Sequence, residues 1–223
     1  MIKTASNIQS KPKQDSIFEI TASLLNQWER IFIAKDYVKE AEGDAISLEE
    51  KQDNKTAEAY QQFVDALKRV PQEKTEAMQK GIDYEASVYA DKDEVFSPIV
   101  KNGEFQAAYK KLVRINGMNI MLYGILDCLK AGRIYDIKRV GRYSSGKYKE
   151  SHQHSMYLYL VPEARDFTYL VCDDNGNHHL ERYERCNCED ILQTISTFLT
   201  WLQSNNLFED YKANWDWNRK KHQ

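Results

Sequence analysis

The chain has 223 residues, of which 42% are hydrophobic and 12% aromatic, and a formal net charge of −3 at pH 7. That is enough apolar material for one sizeable core, and a charge this small announces no nucleic-acid partner, which would need a local basic patch. No apolar run approaches the roughly 18 residues that span a bilayer, and the N-terminus lacks the apolar stretch of a signal peptide, so an intracellular, cytoplasmic protein without membrane association is expected.

Residues 1–16 are polar and are expected to form a flexible N-terminal segment, with one domain over 17–223. The first ordered element is predicted within "FEITASLLNQWERIFIAKDYV". There Thr21 or Ser23 can cap a helix whose apolar face holds Leu24, Leu25, Trp28, Ile31 and Phe32. "AEGDAISLEEKQDN" reads as a charged, exposed connection. Residues 54–69 and 72–91 follow as two helices, the second opened by Pro71 and carrying Gly81 in its interior.

After Pro98 the apolar period changes. "FQAAYKKLVRINGMNIMLYGILDCL" gives two strands joined at Asn116-Gly117, and "RIYDIKRV" a third after Ala131-Gly132. "GKYKESHQHSMYLYLVPE" is read as a helix ending near Pro162, and "FTYLVCDDNGNHHLERYERC" as a hairpin about Asn175-Gly176-Asn177. A last amphipathic helix over 189–203 precedes an aromatic and basic tail. The predicted class is α/β, with a mixed, mostly antiparallel central sheet flanked by helices. The cysteines Cys128, Cys172, Cys186 and Cys188 show no disulfide framework, and Cys186-x-Cys188 lacks a partner pair at metal-site spacing.

The chemistry concentrates in "GILDCLKAGRIYDIKRV". A two-residue loop at Ala131-Gly132 sets Lys130 opposite Arg133 and, counting back along both strands, Asp127 opposite Asp136. Like charges so placed are destabilising unless a cation lies between them. Lys138, two residues beyond Asp136, shares its face. Two carboxylates and a lysine suit magnesium-assisted phosphodiester hydrolysis: hard oxygen ligands hold the cation, and the ammonium orients water or stabilises developing charge. An exposed Asp-x-Lys ion pair is the plainer reading of the same residues. Glu85, four residues after Gly81 on a helix, can reach a sheet face. Gln153 and Tyr157 share one face of the later helix.

In order and spacing, Gly81-x-x-x-Glu85, Gly124-Ile-Leu-Asp127, Asp136-Ile-Lys138 and Gln153-x-x-x-Tyr157 resemble the PD-(D/E)XK nuclease superfamily, and among it the RecB-like branch with phage-type exonucleases. "ITASLLNQWERIF" also looks like the Ser-x-Leu helix with which many RecB-like domains begin. The resemblance implies a restriction-endonuclease-like core and a Mg2+- or Mn2+-dependent deoxyribonuclease, exonuclease rather than endonuclease, working in DNA recombination, repair or phage DNA processing. It further implies that Asp127, Asp136 and the Ile137 carbonyl bind metal, that Lys138 assists the water, that Glu85 completes the acidic cluster, and that Gln153 and Tyr157 line the site. Leu126 stands in place of the name-giving proline, and Tyr84 where many RecB-like members carry histidine. The cysteines do not match the iron-sulfur members, so no iron-sulfur cluster is expected.

DNA is the expected partner, with a homo-oligomer or a recombination protein as further candidates. "KRVGRYSSGKYK", carrying Arg139, Arg142, Lys147 and Lys149 with Tyr143 and Tyr148, is the candidate DNA track. Trp215 and Trp217 are expected to dock onto the body. His152, His154, His178 and His179 are read as surface residues. The rival function is a non-catalytic module that binds nucleic acid or protein on a nuclease-like fold.

Overall fold

The structure, a computed structural model, describes residues 16–36 and 45–219. The expectation of a flexible N-terminal segment therefore falls outside the described residues, apart from Ser16. Strand β1 (Ile17–Thr21) leads directly into helix α1 (Ala22–Asp36), and the Thr21 hydroxyl accepts the Leu24 N–H at 3.3 Å, as a helix cap does. Helix α2 (Ala45–Leu67) starts well before the expected residue 54, so most of the supposed exposed connection is helical. Helix α3 (Glu76–Tyr89) is opened by Thr75, whose side chain accepts from Met78, and not by Pro71. A single turn, α4 (Ser97–Val100), carries Pro98 at its start.

Three long strands follow: β2 (Glu104–Ile115), β3 (Met118–Lys130) and β4 (Arg133–Val140). Both connecting turns have two residues at positive φ, 49° and 77° at Asn116-Gly117 and 49° and 70° at Ala131-Gly132. That is the hairpin geometry whose twist matches the flanking strands. Helix α5 (His152–Leu160) is capped by Ser151 and begins later than expected, because residues 141–150 form a turn-rich loop. The hairpin β5 (Asp166–Asp173) and β6 (His178–Glu184) then leads to α6 (Ile191–Ser204) and α7 (Phe208–Asn214).

Among the described residues six strands make one mixed sheet in which antiparallel pairs predominate. β1 runs parallel to β3, and β4 parallel to β5. β2 pairs along nearly all of β3. The opposite edge of β3 is shared: β1 takes Asn119–Tyr123, and β4 takes Cys128–Lys130. The segment 124–127 between them has no strand partner on that edge, so the sheet forks there. One face carries the main core, in which α1, α2 and α6 bring Trp28, Phe63 and Phe198 together as edge-on aromatic pairs. A smaller cluster of Val88, Phe96, Val100, Ile137 and Leu170 lies with α3 and α4.

The tail docks as expected. Trp215 is buried, its Nε1 donates to the Leu67 carbonyl at 2.8 Å, and Arg69 stacks 3.7 Å from its ring centroid. Residues 215–217 run beside β1, with Glu19 N donating to Trp215 O and Trp217 N to Ile17 O, both at 2.8 Å. Two histidine expectations are corrected: His152 and His154 are buried, because both lie on the short helix α5, which packs against α1, β3 and β5, with Tyr183 stacked on His154.

Candidate functional site

The hairpin register is the one expected from a two-residue loop, with Lys130 opposite Arg133 and Cys128 opposite Tyr135. Pairing ends there. One step further the strands part, and the Asp127 carboxylate takes the place of a ladder bond by accepting the Ile137 N–H at 2.8 Å. The β2–β3 ladder skips the same level, where Gln106, opposite Asp127, has a φ of 52°. Alternation breaks with it: Leu126 belongs to the main core, while Cys128, two residues on, belongs to the smaller cluster. A non-glycine residue in the left-handed region inside a strand is strained, and such strain gathers at working sites.

Asp136 is 1% exposed. Its Oδ1 accepts from the Gln153 side chain, and its Oδ2 lies 2.6 Å from the Lys138 ammonium but has no well-aligned donor. Strand alternation from Asp136 to Lys138 and the cap at Ser151, which fixes the first turn of α5, bring these three side chains together. Tyr157 packs one turn further along α5 against Gly124. A Cβ at that glycine would stand 2.5 Å from the tyrosine ring, so only glycine admits it. The resulting close approach sets the α5 face over the fork.

The electrostatics follow from burial. Desolvation, then the charge on Asp136, pushes the Asp127 carboxyl well above the usual carboxylate range; desolvation also raises Asp136, against the pull of Lys138 and Gln153. Burial disfavours the Lys138 cation, yet the two aspartates outweigh it and raise its pKa. Burial, then Asp136, pushes Tyr157 up to about 12. The unaligned oxygen of Asp136 and the raised carboxyls of Asp127 and Asp136 would suit a hard divalent cation.

Glu85 stands one step back from the pair. Its Oε1 accepts from Tyr89 and Gln106, both at 2.6 Å, and the same Tyr89 hydroxyl, which has one hydrogen to share, lies 3.0 Å from the Asp127 carbonyl. Among the described residues no group of three or more His, Cys, Asp or Glu side chains stands at metal-binding spacing, so Glu85 is linked to Asp127 through Tyr89 and not grouped with both aspartates. Tyr84 hydrogen-bonds Asp93, which also holds His178.

Arg139 on β4 and the three basic residues of the following loop do not share one surface. Arg139 points to the opposite face from Lys138, where it contacts Cys172 and pairs with Asp174 at 3.1 Å. Lys147 borders the same groove as Lys138 and Gln153, whereas Lys149 borders a separate pocket beside His152. Arg142 is exposed. Sequence reading missed Glu181, which is buried and accepts from Tyr143 Oη, Tyr148 N and Tyr183 Oη, tying the basic loop to β6. It missed Glu29 and Glu189 as well, which flank the His152 ring. Burial opposes a charge on His152, but the bonds to Glu189 and Glu29 bring its pKa up to about 9. No local signal marks these partners, since each lies on a different element.

No family model matches the sequence, and no curated protein is detectably similar to it. Solved structures do resemble it in fold. The crystal structure of SSO0001 is 14% identical, covers 87% of this chain and 79% of its own, and superposes with a TM-score of 0.50. A "Putative exonuclease" from Eubacterium rectale is 11% identical over 96% of this chain and 88% of its own, with a TM-score of 0.42. The first is a likeness of fold alone, and the second superposes too loosely to carry an argument. Among the described residues no helix is long and apolar enough to cross a membrane.

Proposed function

We propose that the chain is a metal-dependent deoxyribonuclease of the PD-(D/E)XK type that hydrolyses phosphodiester bonds, with Asp127, Asp136 and the Ile137 carbonyl holding Mg2+ or Mn2+. The observation that carries this reading is the buried Asp136, unaligned at Oδ2, with Lys138 and Gln153 on it and Asp127 across a forked hairpin. When bound there, the cation supplies the Lewis acidity and charge neutralisation that such hydrolysis requires. The two aspartates raise the Lys138 pKa above its ordinary value. Its part in this reading is to orient the attacking water and stabilise charge developing on the phosphate. Gln153 fixes the carboxylate plane of Asp136, and Tyr157 closes the site against the core.

A binding module without catalysis is the second reading, favoured by one observation: Glu85 is hydrogen-bonded away from the aspartates. The two part cleanly in an assay. Purified protein is expected to degrade DNA with magnesium or manganese, and Asp136→Asn and Lys138→Met each to slow this by about 10²-fold or more while the fold persists by circular dichroism. Cleavage undiminished in both variants overturns the assignment. A folded protein that binds DNA and cuts none supports the binding module.

A further inference from the structure

Gln153 reaches Asp136 from the first turn of α5, and that turn is held by side chains of other elements. Asn26 of α1 holds it twice: its Oδ1 accepts the His152 N–H at 2.8 Å, and its Nδ2 donates at 3.3 Å to the Ser151 Oγ, the same oxygen that accepts the Gln153 N–H. Glu29, on the same face of α1 as Asn26, stands 3.4 Å from His152 Nε2, and Glu189 meets Nδ1 on the other side of the ring. We propose that Asn26 and Glu29 are positioning residues, which through Ser151 and His152 hold Gln153 on Asp136 and so orient the carboxylate that binds the cation; this rests on the metal site of the nuclease reading above.

Three observations carry the inference. The first turn of α5 has no acidic residue of its own, although a helix N-terminus is stabilised by negative charge. Glu29 and Glu189 bring that charge from α1 and from the segment before α6, and both act on the His152 ring. The two ends of α5 are also fastened separately. At the far end Arg185 donates to the Leu158 and Ala164 carbonyls at 2.6 and 2.9 Å, and Tyr157 is seated against Gly124. Loss of the α1 contacts therefore loosens Gln153 while the rest of the helix keeps its place. Finally, Asp136 is buried with Oδ2 lacking a well-aligned donor, so the Gln153 amide supplies the aligned hydrogen bond that fixes the carboxylate. A misplacement of about 1 Å at such a contact can cost on the order of 10²-fold in rate.

The full-length protein is titrated with magnesium by calorimetry and assayed for DNA cleavage as wild type, Asn26→Ala, Gln153→Ala and the double variant. Gln153→Ala is expected to weaken magnesium binding and slow cleavage by about 10–100-fold, the usual cost of removing a group hydrogen-bonded to a metal ligand, and Asn26→Ala by about tenfold. The double variant is expected to be no worse than Gln153→Ala, because Asn26 acts through that amide. Glu29→Ala leaves the Asn26 contacts in place, is expected to follow the same pattern, and decides the matter where Asn26→Ala does not fold. Full affinity and full rate in a folded Asn26→Ala or Glu29→Ala overturn the inference. So does a double variant in which the two losses multiply, the mark of an independent structural role. A wild type that binds magnesium and cuts no DNA refutes the nuclease reading alone, and the affinity series still decides the positioning role. A wild type that binds neither magnesium nor manganese and cuts no DNA refutes both.

Discussion

Asp127→Asn isolates the repulsion at the centre of the site. Asp127 lies one step beyond the last paired residues of the β3–β4 hairpin, where the strands part, so the Cβ spacing of about 5 Å of a directly opposed pair is a lower bound and the repulsion worked from it an upper one. Two unit charges at about 5 Å and an effective dielectric constant of about 20 repel by about 3 kcal/mol. The Asn side chain keeps an oxygen for the Ile137 N–H, now 2.8 Å from the carboxylate, and turns an amide toward Asp136. Part of the gain is lost because Lys138 is attracted to both aspartates. A net stabilisation of about 1–2 kcal/mol remains, a rise of about 2–8 °C in a domain of this size. Thermal unfolding in EDTA and in excess magnesium reads it. The wild-type protein is expected to be the less stable in EDTA and to gain from magnesium by mass action, about 2.7 kcal/mol at a hundredfold excess over Kd. Asp127→Asn is expected to start higher and to lose most of that gain. A variant that melts lower than the wild type in EDTA and still responds fully to magnesium refutes both the repulsion and the ligand assignment.

Two further outcomes follow from the surroundings. His152, 5% exposed between Glu29 and Glu189, titrates at about 9 in the fold against about 6.5 unfolded. Because the folded value is the higher, its contribution is complete below about pH 6.5 and is lost as pH rises through about 9, up to about 3 kcal/mol. Urea unfolding from pH 6 to pH 10 should show this fall in the wild type and a flatter profile in His152→Gln. The two motif glycines are expected to respond in opposite directions. A Cβ at Gly81 meets nothing within 4 Å, so Gly81→Ala should stabilise α3 by about 0.5–1 kcal/mol. Gly124→Ala drives Tyr157 aside and should cost about 1–3 kcal/mol together with much of the cleavage activity. Equal effects of the two substitutions would contradict the close approach seen at Gly124.

Much of the sheet was legible because its signals are local. Asn116-Gly117 and Ala131-Gly132 specify their own turns, and the second turn fixes the register of the three pairs from Lys130–Arg133 to Cys128–Tyr135, the expected Asp127–Asp136 level lying just past the last of them. β1 escaped because five residues running straight into a helix carry no period of their own, and their pairing partners on β3 lie about a hundred residues away. Alternation assigned Lys138 to the side of Asp136, and by the same rule it sends Arg139 to the other face, where it meets Cys172 and Asp174. Reading the basic run as one continuous track overlooked that consequence.

What no strand pattern discloses is the break itself. Alternation alone would put Leu126 and Cys128 on one face, yet they belong to different clusters, because the chain reverses its handedness at Gln106 and leaves the 106/127 level unpaired. That distortion frees the Asp127 carboxylate to reach the Ile137 N–H, and it places the Gln106 amide on Glu85. The acidic residues are thus divided between two hydrogen-bond networks joined through Tyr89. Glu85 can approach the aspartates only if Tyr89 and Gln106 release it, so in the proposed cation site any part it takes would be governed by two neighbours that the sequence motif does not include.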